Sequence, residues 1–246
     1  MIMYHSKKPL DARLRAAADM ALETLRGIEH PHAADIGCDH GFVTAYLLRQ
    51  RPDLSMIAGD ISEASLAKTR ILLSQTGMER QVTAICGDGL EILRDQPPMD
   101  VILIAGMGGR SILEILERGQ DYIGQAGLIL QANTDIPALR EGLCRLGIGI
   151  LREAFPEAGG RQYVVLLASK DAPLLDTPTG FRLGTAVRGI EGMGQRKYLL
   201  SIRAQLVKKT EKLSDAGNAR AKAQLAAAAE ELRELDALLS DAPASV

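Results

Sequence analysis

The residues with chemical potential fall in four short segments. Residues 35–41 read DIGCDHG. Gly37 and Gly41 would let the backbone come close to a ligand. A dinucleotide fingerprint, G-x-G-x-x-G, needs a second glycine where this sequence has Asp39. A carboxylate there repels a pyrophosphate and suits a ligand that is cationic and free of phosphate. S-adenosylmethionine, with its sulfonium and its amino group, is such a ligand. Taken alone, the segment also fits a tight turn with an exposed aspartate. Asp60 follows Asp35 by 25 residues. A carboxylate at the end of a second strand can accept from both ribose hydroxyls of NAD or of S-adenosylmethionine, or can simply cap a helix. GDGL, residues 87–90, puts Asp88 where it could accept from the exocyclic amine of an adenine, although Asp-Gly is also an ordinary turn. IAGMGG, residues 104–109, has three glycines in four positions. It would admit a flat substrate base to a methyl donor, or merely turn tightly into a helix. His40 reads as a base or as a hydrogen-bond partner at a helix start, and the second is preferred. His5, His30 and His32 show no ligand spacing.

Short apolar runs position these segments. HAADI, SMIAGD (55–60), VTAIC (82–86), VILIAG (101–106) and GLILQAN (127–133) read as strands. Helical spacing of apolar residues runs through 11–28, through FVTAYLLRQ, from the Ser62 cap to about Thr76, through SILEILERG, and from about Asp135 to Leu146. Strands alternating with helices predict βαβ units and a parallel sheet covered on both faces. Such a sheet binds its ligand at the carboxyl ends of the strands. Asp35 to Gly41, Asp60, Asp88, Gly106 to Gly109 and Asn133 all fall at those ends. Residues 147–156 and 162–169 read as two further strands. With only about five residues between them, they must pair as an antiparallel hairpin. A Rossmann-like sheet that ends in an antiparallel strand is the layout of class I methyltransferases, which this chain resembles.

After Lys170 the composition changes. DAPLLDTPTG (171–180) reads as a linker. Leu199, Ile202, Leu206 and Leu213, then Leu225, Leu232, Leu235 and Leu239, recur at spacings of 3, 4 and 7 on either side of a break at 214–218. This pattern predicts two helices in an antiparallel coiled-coil hairpin. The expected division is therefore a domain of residues 1–170 and a linker with hairpin over 171–246. From Arg182 to Lys212 eight basic residues face two acidic ones, a net of +6, while residues 1–180 carry −5. A run like this is commonly a solvated helix face. It acquires meaning if the substrate is a polyanion.

Composition removes several classes. With 46% hydrophobic and 24% charged residues the chain is an ordinary globular one. No apolar run reaches the ~18 residues of a membrane helix, and the first residues have no apolar core of a signal peptide. Cys38, Cys86 and Cys144 form no CxxC pair, so neither a disulfide framework nor a cysteine metal site is expected. The cytoplasm is the expected compartment. Aromatic residues are only 3% and tryptophan is absent, so a surface of many stacking rings is excluded.

DIGCDHG, the strand ending AGD, GDGL, IAGMGG and LILQAN occur here in the order found in the bacterial tRNA (adenine-N1)-methyltransferases of the TrmK family, which modify adenine 22. LDARL is similar to that family's opening helix. Arg152, Glu153 and Tyr163 in the late strands, and the C-terminal hairpin, are similar too. The resemblance covers essentially the whole chain. Two departures are visible: Asp60 stands where many members have glutamate, and Ala132 where members usually have proline before the asparagine. The resemblance implies a cofactor set of Asp35, Gly37, Asp39, His40, Gly41, Asp60, Ile61, Asp88, Gly89, Ala105 and Met107. It implies substrate contacts from Arg13, Gly108, Asn133 and Tyr163, joined by Arg196, Lys197, Lys208 and Lys209 of the basic run.

The implied reaction moves a methyl group from S-adenosylmethionine to N1 of adenine in tRNA. Neutral N1 has a free lone pair, so no base is needed to make the nucleophile, while a carboxylate would stabilise the cationic product. Asp39 is the expected catalytic residue. N1 lies on the Watson–Crick edge, so the base must first be exposed. Neither metal nor membrane is expected, and a monomer is favoured. A methyltransferase acting on another RNA or a small molecule, a non-catalytic binding module, and a dehydrogenase are the competing readings. The basic hairpin argues against the small molecule, the complete set of ligand loops against the binding module, and Asp39 against the dehydrogenase.

Overall fold

The computed structural model describes residues 10–214 and 218–241. His5 and the middle of the expected helix break, 215–217, lie outside them. The chain divides into two compact units, with the division between Leu174 and Leu175.

The first unit begins with α1 (Ala12–Thr24). Then β1 (His32–Ile36), α2 (Phe42–Gln50), β2 (Ser55–Asp60), α3 (Glu63–Thr76) and β3 (Val82–Cys86) alternate. After these come β4 (Val101–Met107), α4 (Gly109–Arg118), the short α5 (Gln120–Ile123), β5 (Gly127–Ala132) and α6 (Ile136–Arg145). β6 (Gly149–Ala154), β7 (Glu157–Ala158), β8 (Arg161–Gln162) and β9 (Val164–Ser169) complete the unit. Seven strands form one sheet in the order β3-β2-β1-β4-β5-β9-β6. β1 to β5 run parallel, and β9 runs antiparallel to both β5 and β6. This is the Rossmann-like sheet with an antiparallel last strand that the sequence predicts. Winding reverses between β1 and β4, which makes the carboxyl ends of those two strands the switch point where such sheets bind ligands.

The central strands are apolar without alternation because both faces are covered. Val101 to Ile104 and Leu128 to Leu130 are all buried. Ala17, Ala18 and Ala21 of α1, with Leu25 just after it, pack in the same core as Ala33, Leu103, Ile129 and Val165. Asp11 caps α1 by accepting from the backbone N–H groups of Arg13 and Leu14, both at 3.1 Å. The predicted Ser62 cap is present, accepting from the Ser65 N–H. Arg140 of α6 and Glu153 of β6 form an ion pair at 2.7 Å with both side chains fully buried. It ties the edge strand to its helix, since either charge left alone there would be costly.

Three local readings change. Residues 157–162 are not a plain loop: β7 and β8 pair as a small second sheet, turned by Gly159 and Gly160, both at positive φ. α4 starts two residues earlier than its apolar pattern, at Gly109. There a Cβ would lie within 2.8 Å of the carbonyl oxygens of Thr134 and Asp135, so only glycine fits. The expected linker is helical at its end. Thr177 accepts from the Gly180 N–H and starts α7 (Pro178–Leu183), with proline at the first helical position, where its missing N–H costs nothing.

The second unit continues with α8 (Gly192–Ser214) and α9 (Ala219–Asp241). Leu199, Leu206, Leu235 and Leu239 form its buried core with Leu183 and Ala186. On α9, Ala221 and Ala228 are buried and complete the seam between the leucines, small residues that the leucine count passed over. Arg203 of α8 bonds Asp236 of α9 at 2.6 Å. Asn218 caps α9 by accepting from the Ala221 N–H at 2.8 Å.

Candidate active site

A cleft of about 570 Å³ opens at the switch point, within the range of small-molecule sites. Its lining includes Asp35, Gly37, Asp39, His40, Asp60, Ile61, Asp88, Gly89, Ala105, Met107 and Arg13. Gly41, Gly108, Asn133 and Tyr163 do not line it. Gly41 instead turns the chain into α2 in the left-handed region, φ 71°, where a Cβ would meet Thr69 Cγ2 at 2.6 Å.

The loop after β1 is held from below. Asp39 lies at φ 49°, a region L-residues rarely occupy. Its N–H donates to Asp60 Oδ2 at 3.0 Å, and its carbonyl accepts from Thr69 Oγ1 at 2.9 Å. The second Asp60 oxygen accepts from the Ser62 N–H at 2.8 Å. Asp60 thus braces two loops while facing the cleft. Gly37 is at φ 74°, and a Cβ on it would lie 2.1 Å from Met107 Cε. The positive φ favours glycine there, and its backbone forms the floor.

Five carboxylates border this cleft, Glu114 of α4 and four aspartates in different states. Asp35 is buried and accepts from Thr44 Oγ1 at 2.7 Å. Burial, assisted by the charge of Asp60, raises it to about 6. Burial and Asp35 push the neighbouring Cys38 thiol up to about 12, which leaves no thiolate at neutral pH. Asp39 is largely exposed, with Oδ2 2.6 Å from His40 Nδ1. The other His40 nitrogen lies 3.3 Å from Lys68 Nζ, and the ring stacks on Phe42. His40 is therefore a side-chain partner of Asp39 and lies at no helix cap. Asp88 is met by both nitrogens of the Arg118 fork, Nη2 to Oδ1 at 3.0 Å.

Beside the cleft, β4 bulges against β5 at Gly106, φ 81°. The bulge frees one N–H and one C=O from the ladder. Gln131 Oε1 accepts that N–H at 3.1 Å, and Asn133 Nδ2 donates to that carbonyl at 2.8 Å. Arg13 Nη1 donates to Asn133 Oδ1 at 2.6 Å and to Gln131 Oε1 at 3.2 Å. Arg13 and Arg161 both place a guanidinium over the Tyr163 ring, at 5.5 and 5.2 Å. Arg13, Asn133 and Tyr163, scattered in the sequence, are thus one cluster.

Several residues in or beside the cleft escaped the sequence reading. Gln131 carried a signal, a polar residue inside an apolar strand, which must find partners when buried. Ser111, Glu114, Ile115 and Arg118 line the cleft from one face of α4, and their helical spacing reads equally well as core. Arg161 had no signal at all. On α8, Lys197, Lys208 and Lys209 are exposed, but Arg196 is half-buried with Nη1 shielded from solvent. Of the +6 run, Arg203 is paired with Asp236, and Arg182 with Glu234 at 2.6 Å. Among the described residues no group of three or more His, Cys, Asp or Glu is arranged to hold a metal ion, and no helix is long and apolar enough to cross a membrane.

A doubly wound sheet with an antiparallel strand beside β5, and an acidic cleft at its switch point, defines a Rossmann-like methyltransferase fold. Residues 10–166 match the family model described as "Methyltransferase domain", and the chain belongs to that family. It is 35% identical over 136 residues to the tRNA (adenine(22)-N(1))-methyltransferase of Bacillus subtilis, a match covering 55% of this chain and 57% of that protein. A putative tRNA methyltransferase of Mycoplasma pneumoniae is 33% identical over 136 residues and covered to 62%. The chain thus spans about three-fifths of the length of these curated relatives. The crystal structure of the B. subtilis M1A22 tRNA methyltransferase TrmK superposes with a TM-score of 0.77 at 26% identity, covering 94% of this chain and 99% of that one.

Proposed function

We propose that this protein transfers a methyl group from S-adenosylmethionine to N1 of adenine 22 in tRNA, acting in the cytoplasm as a monomer. The observation that carries the reading is the likeness to the B. subtilis enzyme over 94% of the chain, which takes in the helical second unit. Ribosomal RNA small subunit methyltransferases C match only 32–37% of the chain, so another RNA is the weaker reading.

The cleft residues fit the cofactor. Carboxylates at Asp35, Asp39, Asp60 and Asp88 suit a ligand with cationic groups and hydroxyls, and oppose a pyrophosphate. The glycine floor at Gly37 admits a ligand against the backbone. When bound, S-adenosylmethionine supplies an electrophilic methyl group on a sulfonium. Asp35 supplies negative charge at the floor. Asp60 keeps lone pairs free for hydroxyl donors. Asp88, held by Arg118, can accept from an amine. Ile61, His40, Gly89, Ala105 and Met107 complete the walls and exclude water. Asp39 is held by its backbone and by His40, so its carboxylate is fixed before reaction and stabilises the charge that develops on the methylated base. Residues 10–170 carry the chemistry, and the hairpin grips tRNA.

The test is methylation of unmodified tRNA transcripts with labelled S-adenosylmethionine. Label in adenine at position 22, lost when that base is changed to guanine, is the expected result. Label in ribosomal RNA or small metabolites, with tRNA unlabelled, would refute the reading.

A further inference from the structure

We propose that Arg161, together with Arg13, forms a seat for a backbone phosphate of the nucleic acid beside the methyl-transfer cleft, an inference that rests on the tRNA reading above. Arg161 is exposed at the start of the two-residue strand β8. Its guanidinium is nevertheless held in place. Nη2 donates to the Asn133 carbonyl at 2.7 Å, and the fork lies over the Tyr163 ring. Ring and carbonyl together limit the rotamers of a side chain that would otherwise lose much entropy on binding.

The charge of Arg161 is uncompensated. Most arginines of this unit meet a carboxylate, as Arg51 meets Asp53 and Arg118 meets Asp88. Arg161 has no carboxylate partner among the described residues. The Arg13 guanidinium, itself paired with Asp11 at 3.0 Å, approaches the same ring at 5.5 Å, so two guanidinium groups converge on one aromatic side chain with a single carboxylate beside them. That arrangement is favourable when an anion sits between or beside them. The planar guanidinium fork matches phosphate geometry. The floor of the cleft has the opposite sign, with Asp35, Asp39 and Asp60. A cationic cofactor is drawn to the floor and a polyanion to this rim.

Arg161→Gln keeps an N–H donor for the Asn133 carbonyl and removes the charge. Arg161→Lys keeps the charge and loses the fork. Binding of unmodified tRNA transcript to the full chain is measured by fluorescence anisotropy between about 50 and 200 mM salt, with S-adenosylmethionine binding by calorimetry and thermal midpoint as controls. For Arg161→Gln the expected result is tRNA affinity down about tenfold and a salt slope reduced by roughly 0.7–0.9. Cofactor affinity and midpoint stay unchanged, and Arg161→Lys retains the slope. An unchanged affinity and slope for Arg161→Gln overturns the inference. So does an equal loss in both variants with a lowered midpoint, since that marks a structural strut. Failure of the underlying reading looks different: the unsubstituted protein then methylates no tRNA at all.

Discussion

Asp35 is a buried carboxylate that accepts from the Thr44 hydroxyl, and its environment leaves it at about 6 in place of 3.8. The folded protein therefore holds this proton more tightly than the unfolded chain does. Stability from this group is complete below about pH 4 and is lost as pH rises through 6. Asp35→Asn removes the effect. Urea unfolding should show the variant gaining on the unsubstituted protein between pH 4 and 6, by up to about 3 kcal/mol at neutrality. The same variant should bind S-adenosylmethionine more weakly, because its floor lacks the charge. A constant difference across that pH range would refute the assignment. Thr69 is the other residue to probe. Its hydroxyl satisfies the Asp39 carbonyl and its methyl fills the space beside Gly41. Thr69→Val should cost about 1–3 kcal/mol and raise the KM for S-adenosylmethionine, and Thr69→Ser should restore most of it. A Thr69→Val variant that behaves like the unsubstituted protein, with Thr69→Ser impaired, would show that the methyl group matters and the hydroxyl does not.

The elements revise the meaning of the charge run. α8 taken alone is strongly basic, but its first half meets the acidic end of α9 through the Arg203–Asp236 pair. Lys208, Lys209 and Lys212 at the end of α8, with Arg220 and Lys222 at the start of α9, are exposed and have no ion pair among the described residues. The cations free to meet phosphate therefore collect where the two helices are joined. Replacing Lys208, Lys209 and Lys212 with glutamine should lower tRNA affinity and reduce the salt slope by about two to three. Replacing Arg203 should act mainly on stability, by about 1 kcal/mol or less, since a surface pair contributes little. Equal slopes for both replacements would show that the tip makes no phosphate contact. The periodicity of leucines announced this hairpin. Its electrostatics could not be read from one helix, because the compensating carboxylates lie about thirty residues further along.

At the scale of the molecule the proposed reading divides the work between the two units. Every cleft residue lies between Arg13 and Arg118, so a chain ending at Leu174 should bind S-adenosylmethionine with nearly full affinity, measured by calorimetry, while its tRNA methylation collapses. Retained tRNA activity in that truncated chain would assign recognition to the first unit alone.

The alternation of apolar strands with amphipathic helices determined the sheet, its winding and the place of the cleft, because local periodicity and the right-handed crossover leave few alternatives. DIGCDHG, Asp60, Asp88 and IAGMGG announced the cleft for the same reason: each lies at or just beyond the carboxyl end of a strand, so fixing the strand fixes the residue. The rest depended on contacts distant in sequence. Arg13 reaches Asn133 across 120 positions. Gln131 satisfies a bulge on the neighbouring strand, and Arg161 meets Tyr163 and Asn133 only once β7 and β8 have folded. Side-chain hydrogen bonds of this kind have no period along the chain, and only the tertiary structure decides them.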